Sequence, residues 1–223
     1  MFFRKFIVLV FVLACGASCA LAQDSIADKF EITPFAGTKF AGKINVYGYD
    51  TNPNVENVYV KSGIDYGVIA DYNIWSSFAV EFMYDRQPTT YSQQDFTTVP
   101  PTKDFLANGA LNTYTFGGAY TFRADSKIRP FVTAGLGWTN FGNLNSQPDQ
   151  LYVGFNNRLA YDLGGGVKYF FTKFAGLRFD MRWMPSRTTP TVQSECSIYG
   201  CGEYSASYRM NQGAANIGLI LKF

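Results

Sequence analysis

The residues best placed to do chemistry are charged and recur at every second position. Arg178, Asp180 and Arg182 alternate with Leu177, Phe179, Met181 and Trp183. Asp65 and Asp71, Glu81 and Asp85, Asp162 and Lys168, and finally Lys222 keep the same alternation against apolar neighbours. In a strand, side chains two apart point to the same face. Charges of both signs held on one enclosed face must pair or hold water. Three outcomes follow: an interstrand ion-pair network filling an interior, a narrow conduction path, or a proton-transfer site. The network asks least of the sequence.

Other chemistries lack their parts. The chain has no histidine, which removes the commonest general base and the commonest metal ligand. Ser186, Ser194, Ser197, Ser205 and Ser207 read as solvated loop residues with no base motif beside them. Gly117-Gly118 and Gly164-Gly165-Gly166 lack the Lys-Ser/Thr of a phosphate loop; glycines in strands relieve crowding. No catalytic residue, cofactor or metal is expected. The net charge of +2, with no basic run, gives no support for nucleic-acid binding. Trp138, Tyr161, Tyr169 and Trp183 would stack on a sugar or form an interfacial girdle, and the girdle is the simpler reading.

The elements that must position the charges are strands. Period-two alternation runs through Gly63 to Asn73, Phe78 to Arg86, Asn112 to Phe122, Pro130 to Asn140, Arg158 to Phe171, Phe174 to Met184 and Met210 to Phe223. A weaker strand runs from Lys29 to Gly37, where Pro34 removes a ladder donor and predicts a bulge. Short connections fall at about 74–77, 123–129 and 172–173; long ones at about 38–62, 87–111, 141–157 and 185–209. Eight strands with alternately short and long connections predict an all-β, antiparallel, up-and-down transmembrane barrel.

Composition decides which face looks outward. Charged residues are only 16% of the 223 and aromatics 17%, including 21 Phe and 15 Tyr, against about 25% charged in a soluble domain. An eight-stranded interior has room only for close-packed side chains, so it cannot take so many rings. The apolar face is therefore expected in lipid, and a soluble lipocalin-like barrel is the rival.

Residues 1–22 read as a signal peptide. Arg4 and Lys5 precede an apolar run from Phe6 to Ala14, and Ala20-Leu21-Ala22 offers a cleavage site. Val12-Leu13-Ala14-Cys15 is the competing lipoprotein signal. Residues 23–223 then form the barrel domain, with Cys196 and Cys201 as a local disulfide of an exported chain or as two free thiols.

Three pieces carry a resemblance. They are Lys127-Ile128-Arg129-Pro130-Phe131-Val132 before Ala134-Gly135-Leu136-Gly137; Gly176-Leu177-Arg178-Phe179-Asp180-Met181-Arg182-Trp183; and Asn216-Ile217-Gly218-Leu219-Ile220-Leu221-Lys222-Phe223. Over nearly all of residues 23–223 the chain resembles the small outer-membrane barrels related to the OmpA and OmpX transmembrane domains. The resemblance implies a monomer in the bacterial outer membrane, with lipid as its surroundings. It also implies that Asn216, Gly218, Leu221 and Phe223 form the signal read by the barrel-assembly machinery. Enzymes on small barrels of this membrane lean on a catalytic histidine, so the resemblance implies a structural or surface-interaction role, with a narrow pore or small-ligand binder as the alternative.

Overall fold

The computed structural model describes residues 29–40, 42–47, 58–95, 102–141, 157–188, 191–193, 203–205 and 207–223. The signal segment 1–22 and the Cys196–Cys201 pair lie outside the described residues. Eight strands close the barrel in the order β1 (Phe30–Phe40), β4 (Gly63–Trp75), β5 (Phe78–Asp95), β6 (Thr102–Thr121), β7 (Ile128–Asn140), β8 (Arg158–Phe170), β9 (Ala175–Thr188) and β12 (Ser207–Lys222). All neighbours pair antiparallel, and β12 returns to β1. Along each strand inward positions alternate with mostly apolar outward ones, and the inward set mixes polar and small residues with a buried apolar cluster of Phe35, Ile69, Met83, Met184 and Ala214; lipid solvates one face while the lumen buries the other.

The strands reach further than the sequence periodicity predicts. A membrane strand needs about 9–11 residues, yet β5 has 18 and β6 has 20. Much of the expected 87–111 loop is therefore a ribbon, paired from Gln87↔Leu111 to Asp95↔Thr102 with one bulge at Tyr91/Ser92. Above the lipid the outward face turns polar, and Gln87, Thr89, Thr90 and Gln94 carry no amphipathic signal. Likewise β2 (Gly42–Tyr47) and β3 (Val58–Val60) continue β1 and β4 upward inside the expected 38–62 loop, pairing with β12, with each other and with β5. A small ribbon of β10 (Thr191–Gln193) and β11 (Glu203–Ser205) lies within the expected 185–209 loop.

Pro34 makes no bulge. Its pairing to β4 is continuous, Pro34↔Val68, and the register to β12 is the same on both sides of it. The β12 ladder simply skips Thr33 and Pro34, so the missing donor costs rungs rather than register. A second interruption lies at Pro185. The β8–β9 ladder passes from Ala160↔Ser186 to Leu163↔Trp183 without pairing Tyr161 and Asp162 to Pro185 and Met184.

Outside, Phe116, Leu136, Leu163, Phe179, Met181 and Ile217 are exposed, which a soluble lipocalin-like barrel would not tolerate as its water face. Rings gather near both ends. Tyr84, Tyr114 and Trp138 stack across three strands above, and Phe30–Tyr72 and Trp75–Phe78 lie below. With the short turns at the periplasmic side, the ribbons stand at the extracellular side.

Candidate functional site

The lumen is filled from both directions. Inward glycines on β8 let the paired strand β9 and its side chains come close: a Cβ on Gly164 would meet Arg182 Cγ at 2.9 Å, and one on Gly166 would meet the Phe179 backbone carbonyl at 1.9 Å. Into the lumen β9 projects Arg178, Asp180 and Arg182, which are 1–4% exposed.

Three cations knit the network. Lys168 Nζ donates to Glu31 Oε2 at 2.6 Å and to Asp71 Oδ2 at 2.8 Å. Arg178 donates to Asp71 at 3.1 Å, to Glu81 Oε2 at 2.6 Å and to Asp180 Oδ2 at 3.0 Å. Arg182 donates to Glu81 Oε1 at 2.9 Å, to Asp180 Oδ2 at 3.3 Å and to Asp162. Thr133 donates its hydroxyl to Glu81 Oε1 at 2.9 Å, and Thr115 reaches Asp162. Lys39 pairs with Asp85 in a separate contact nearer the extracellular end. Beside it Gln212 donates to Gln87 at 3.1 Å.

Nine of the ten charges expected inside are buried there: Asp65, Asp71, Glu81, Asp85, Asp162, Lys168, Arg178, Asp180 and Arg182. Asp65 joins no ion pair among the described residues, although it is fully buried. Lys222 is the exception. It is half-buried at the periplasmic rim, where the strand ends. Two members were missed, Glu31 and Lys39, each under 5% exposed. Glu31 lies ahead of the bulge expected at Pro34, and Lys39 lies past Gly37, the expected end of the first strand; the strand in fact runs to Phe40.

Apolar side chains close the polar core at each end. Phe131, Phe170 and Ile220 lie buried toward the periplasm, with the Arg178 guanidinium 4.3 Å over the Phe131 ring. Val60, Tyr91, Leu111, Phe141 and Met210, each at most 1% exposed, pack where the strands rise past the membrane, and Tyr91 donates to the Phe141 carbonyl at 3.2 Å. The missed signal for this upper stopper was apolar residues scattered through polar ribbons. Among the described residues, no three Asp, Glu, Cys or His side chains converge as metal ligands.

In β12, Asn216 and Gly218 face inward; a Cβ on Gly218 would meet Thr33 and Phe35 side chains within 3.1 Å. Leu221 and Phe223 are half-buried at the base. Phe223 exchanges both backbone hydrogen bonds with Phe30, at 2.8 and 3.3 Å.

A closed antiparallel barrel with a lipid-facing apolar wall and a charged, packed lumen defines an integral membrane β-barrel protein. The chain belongs to the outer membrane protein beta-barrel domain family, whose model matches residues 7–223, and it resides in the bacterial outer membrane. No curated protein matches it. Among solved structures it is similar to the outer membrane protein OprG from Pseudomonas aeruginosa, at 16% identity over 88% of this chain and 96% of that one, TM-score 0.65. It is also similar to the outer membrane protein AlkL, determined in lipid bilayers, at 14% identity over 90% and 93%, TM-score 0.55. The outer membrane protease OmpT from Escherichia coli is similar at 9% identity over 91% and 99%, TM-score 0.53. At these identities the likeness is one of fold.

Proposed function

We propose that this protein serves the outer membrane as a closed structural barrel that presents its extracellular ribbons to the outside, without conducting through its lumen. The observation that carries the reading is the ion-pair network stoppered by apolar side chains at both ends. Arg182 reaches Glu81 across the barrel, and Tyr91, Leu111 and Phe141 fill the space above. A path for ions would have to break several buried pairs, each break leaving an uncompensated charge. The reading includes a monomer, kinship with the OmpA and OmpX transmembrane domains, and delivery through a signal peptide over residues 1–22. It also includes insertion by the barrel-assembly machinery through Asn216, Gly218, Leu221 and Phe223. Proteolysis of the OmpT kind is not part of it, because the chain has no histidine to act as base.

Planar-bilayer recording of the refolded protein tests the reading. The expected result is a silent membrane. Steady single-channel steps would establish the narrow-pore alternative, and Tyr91→Ala with Leu111→Ala should then enlarge them.

A further inference from the structure

The lipid-facing wall from β6 to β9, where it meets β12, holds a cavity of about 680 Å³. Its lower part is apolar, walled by Phe116, Leu136, Leu163 and Trp183. Its floor is strand backbone at Gly117, Ala134 and Gly135, and of these only Ala134 points a side chain, a methyl, outward into it. Its upper end is polar, bounded by Arg187 and Asn211, both exposed. The groove crosses the place where the β8–β9 ladder skips Pro185.

Height fixes what the polar end meets. Arg187 lies four residues beyond Trp183 on β9, on the same outward face, about 13 Å further along the strand at 3.3 Å per residue. Trp183 lies eight residues from the periplasmic end of β9, as Tyr114 lies seven from that of β6, so it is level with the upper rings, which sit at the membrane–water boundary. Arg187 therefore stands at headgroup level of the outer leaflet. No carboxylate of the described residues pairs with it. An outward guanidinium that meets no carboxylate among the described residues, above an apolar trough, is complementary to a lipid with a phosphorylated headgroup and chains lying below it.

We infer that this groove is a specific site for the phosphorylated, multiply acylated glycolipid of the outer leaflet, with Arg187 on the phosphate and an acyl chain along Leu136, Leu163 and Trp183. The site goes beyond the structural role proposed above and does not depend on it.

The test uses the full barrel in detergent, with purified diphosphorylated lipid A as probe and dephosphorylated lipid A and phosphatidylglycerol as comparators. Native mass spectrometry reads retained lipid, and thermal unfolding reads the shift. Diphosphorylated lipid A should be retained and raise the midpoint; the comparators should not. Arg187→Ala should cut retention about tenfold, the effect of one charge-assisted contact. Arg187→Lys should restore part of it. Ala134→Trp fills the trough from the lipid side, so it should leave the fold intact and cut retention as well. Equal retention of phosphatidylglycerol would overturn the inference, as would unchanged retention in both Arg187→Ala and Ala134→Trp.

Discussion

Arg182 on β9 and Glu81 on β5 meet at 2.9 Å although their strands stand on opposite sides of the barrel. The lumen is therefore spanned by its side chains, and the two walls are tied to each other as well as to their ladder neighbours. Lys168 on β8 makes the same crossing to Asp71 on β4.

These crossings set a stability prediction. Lys168→Ala leaves Glu31 buried with no cation and Asp71 with Arg178 alone, and should cost on the order of 3 kcal/mol. Urea unfolding of the refolded barrel in detergent measures it. A loss under about 1 kcal/mol would mean that water, rather than Lys168, carries those carboxylates.

The separate Lys39–Asp85 pair permits a sharper comparison. Lys39→Met alone should destabilise by a similar amount, leaving Asp85 next to buried Asp65 with no cation. Adding Asp85→Leu should restore most of the loss, because replacing both partners with apolar groups is often neutral or better. A double variant no more stable than Lys39→Met would show that the pair is not the unit that matters.

Glycine substitutions separate space from conformation. Gly166→Ala would drive a Cβ to 1.9 Å from the Phe179 carbonyl, whereas at Gly213 the nearest atom is Phe40 Cδ2 at 3.5 Å. Gly166→Ala should lose about 1–3 kcal/mol and the heat-modifiable gel shift of the folded barrel should weaken. Gly213→Ala should be close to neutral.

Deleting Phe223 removes the two backbone bonds to Phe30. In detergent this should cost only about 1–3 kcal/mol. In cells the assembled amount should fall far more if the terminal residues are read during insertion. Equal effects in both settings would reduce Phe223 to a structural role.

Cys196 and Cys201 should be bonded in the exported protein. Thiol labelling of intact cells without reductant should leave both unmodified; labelling of both would settle for free thiols.

The sequence made the barrel and most of its lumen legible because alternation is strongest where one face meets lipid. Arg178, Asp180 and Arg182 were readable for that reason. It was least informative where lipid ends. Gln87, Thr89 and Tyr91 continue β5 inward, but outside the membrane their outward neighbours are polar too, so the period vanishes. Pro34 misled in the other direction. Its missing donor suggested a bulge, while the ladder to β4 held the register past Glu31 and continued beyond Gly37 to Lys39, where a loop was expected. Partner choice across the barrel, such as Arg182 with Glu81, depends on which walls face each other, and no local pattern encodes that.

The seam between β1 and β12 joins the first and last strands of the barrel, from Glu31↔Lys222 to Phe40↔Gly213. Contacts so distant along the chain are the slowest to form. Until they do, both seam strands present open edges, and an open edge invites pairing with other chains. The barrel thus has one closing event, and it comes late. A chain stalled before it carries two sticky margins and a half-wrapped set of charges, so the hazard for this protein lies in the interval before closure rather than in the finished cylinder.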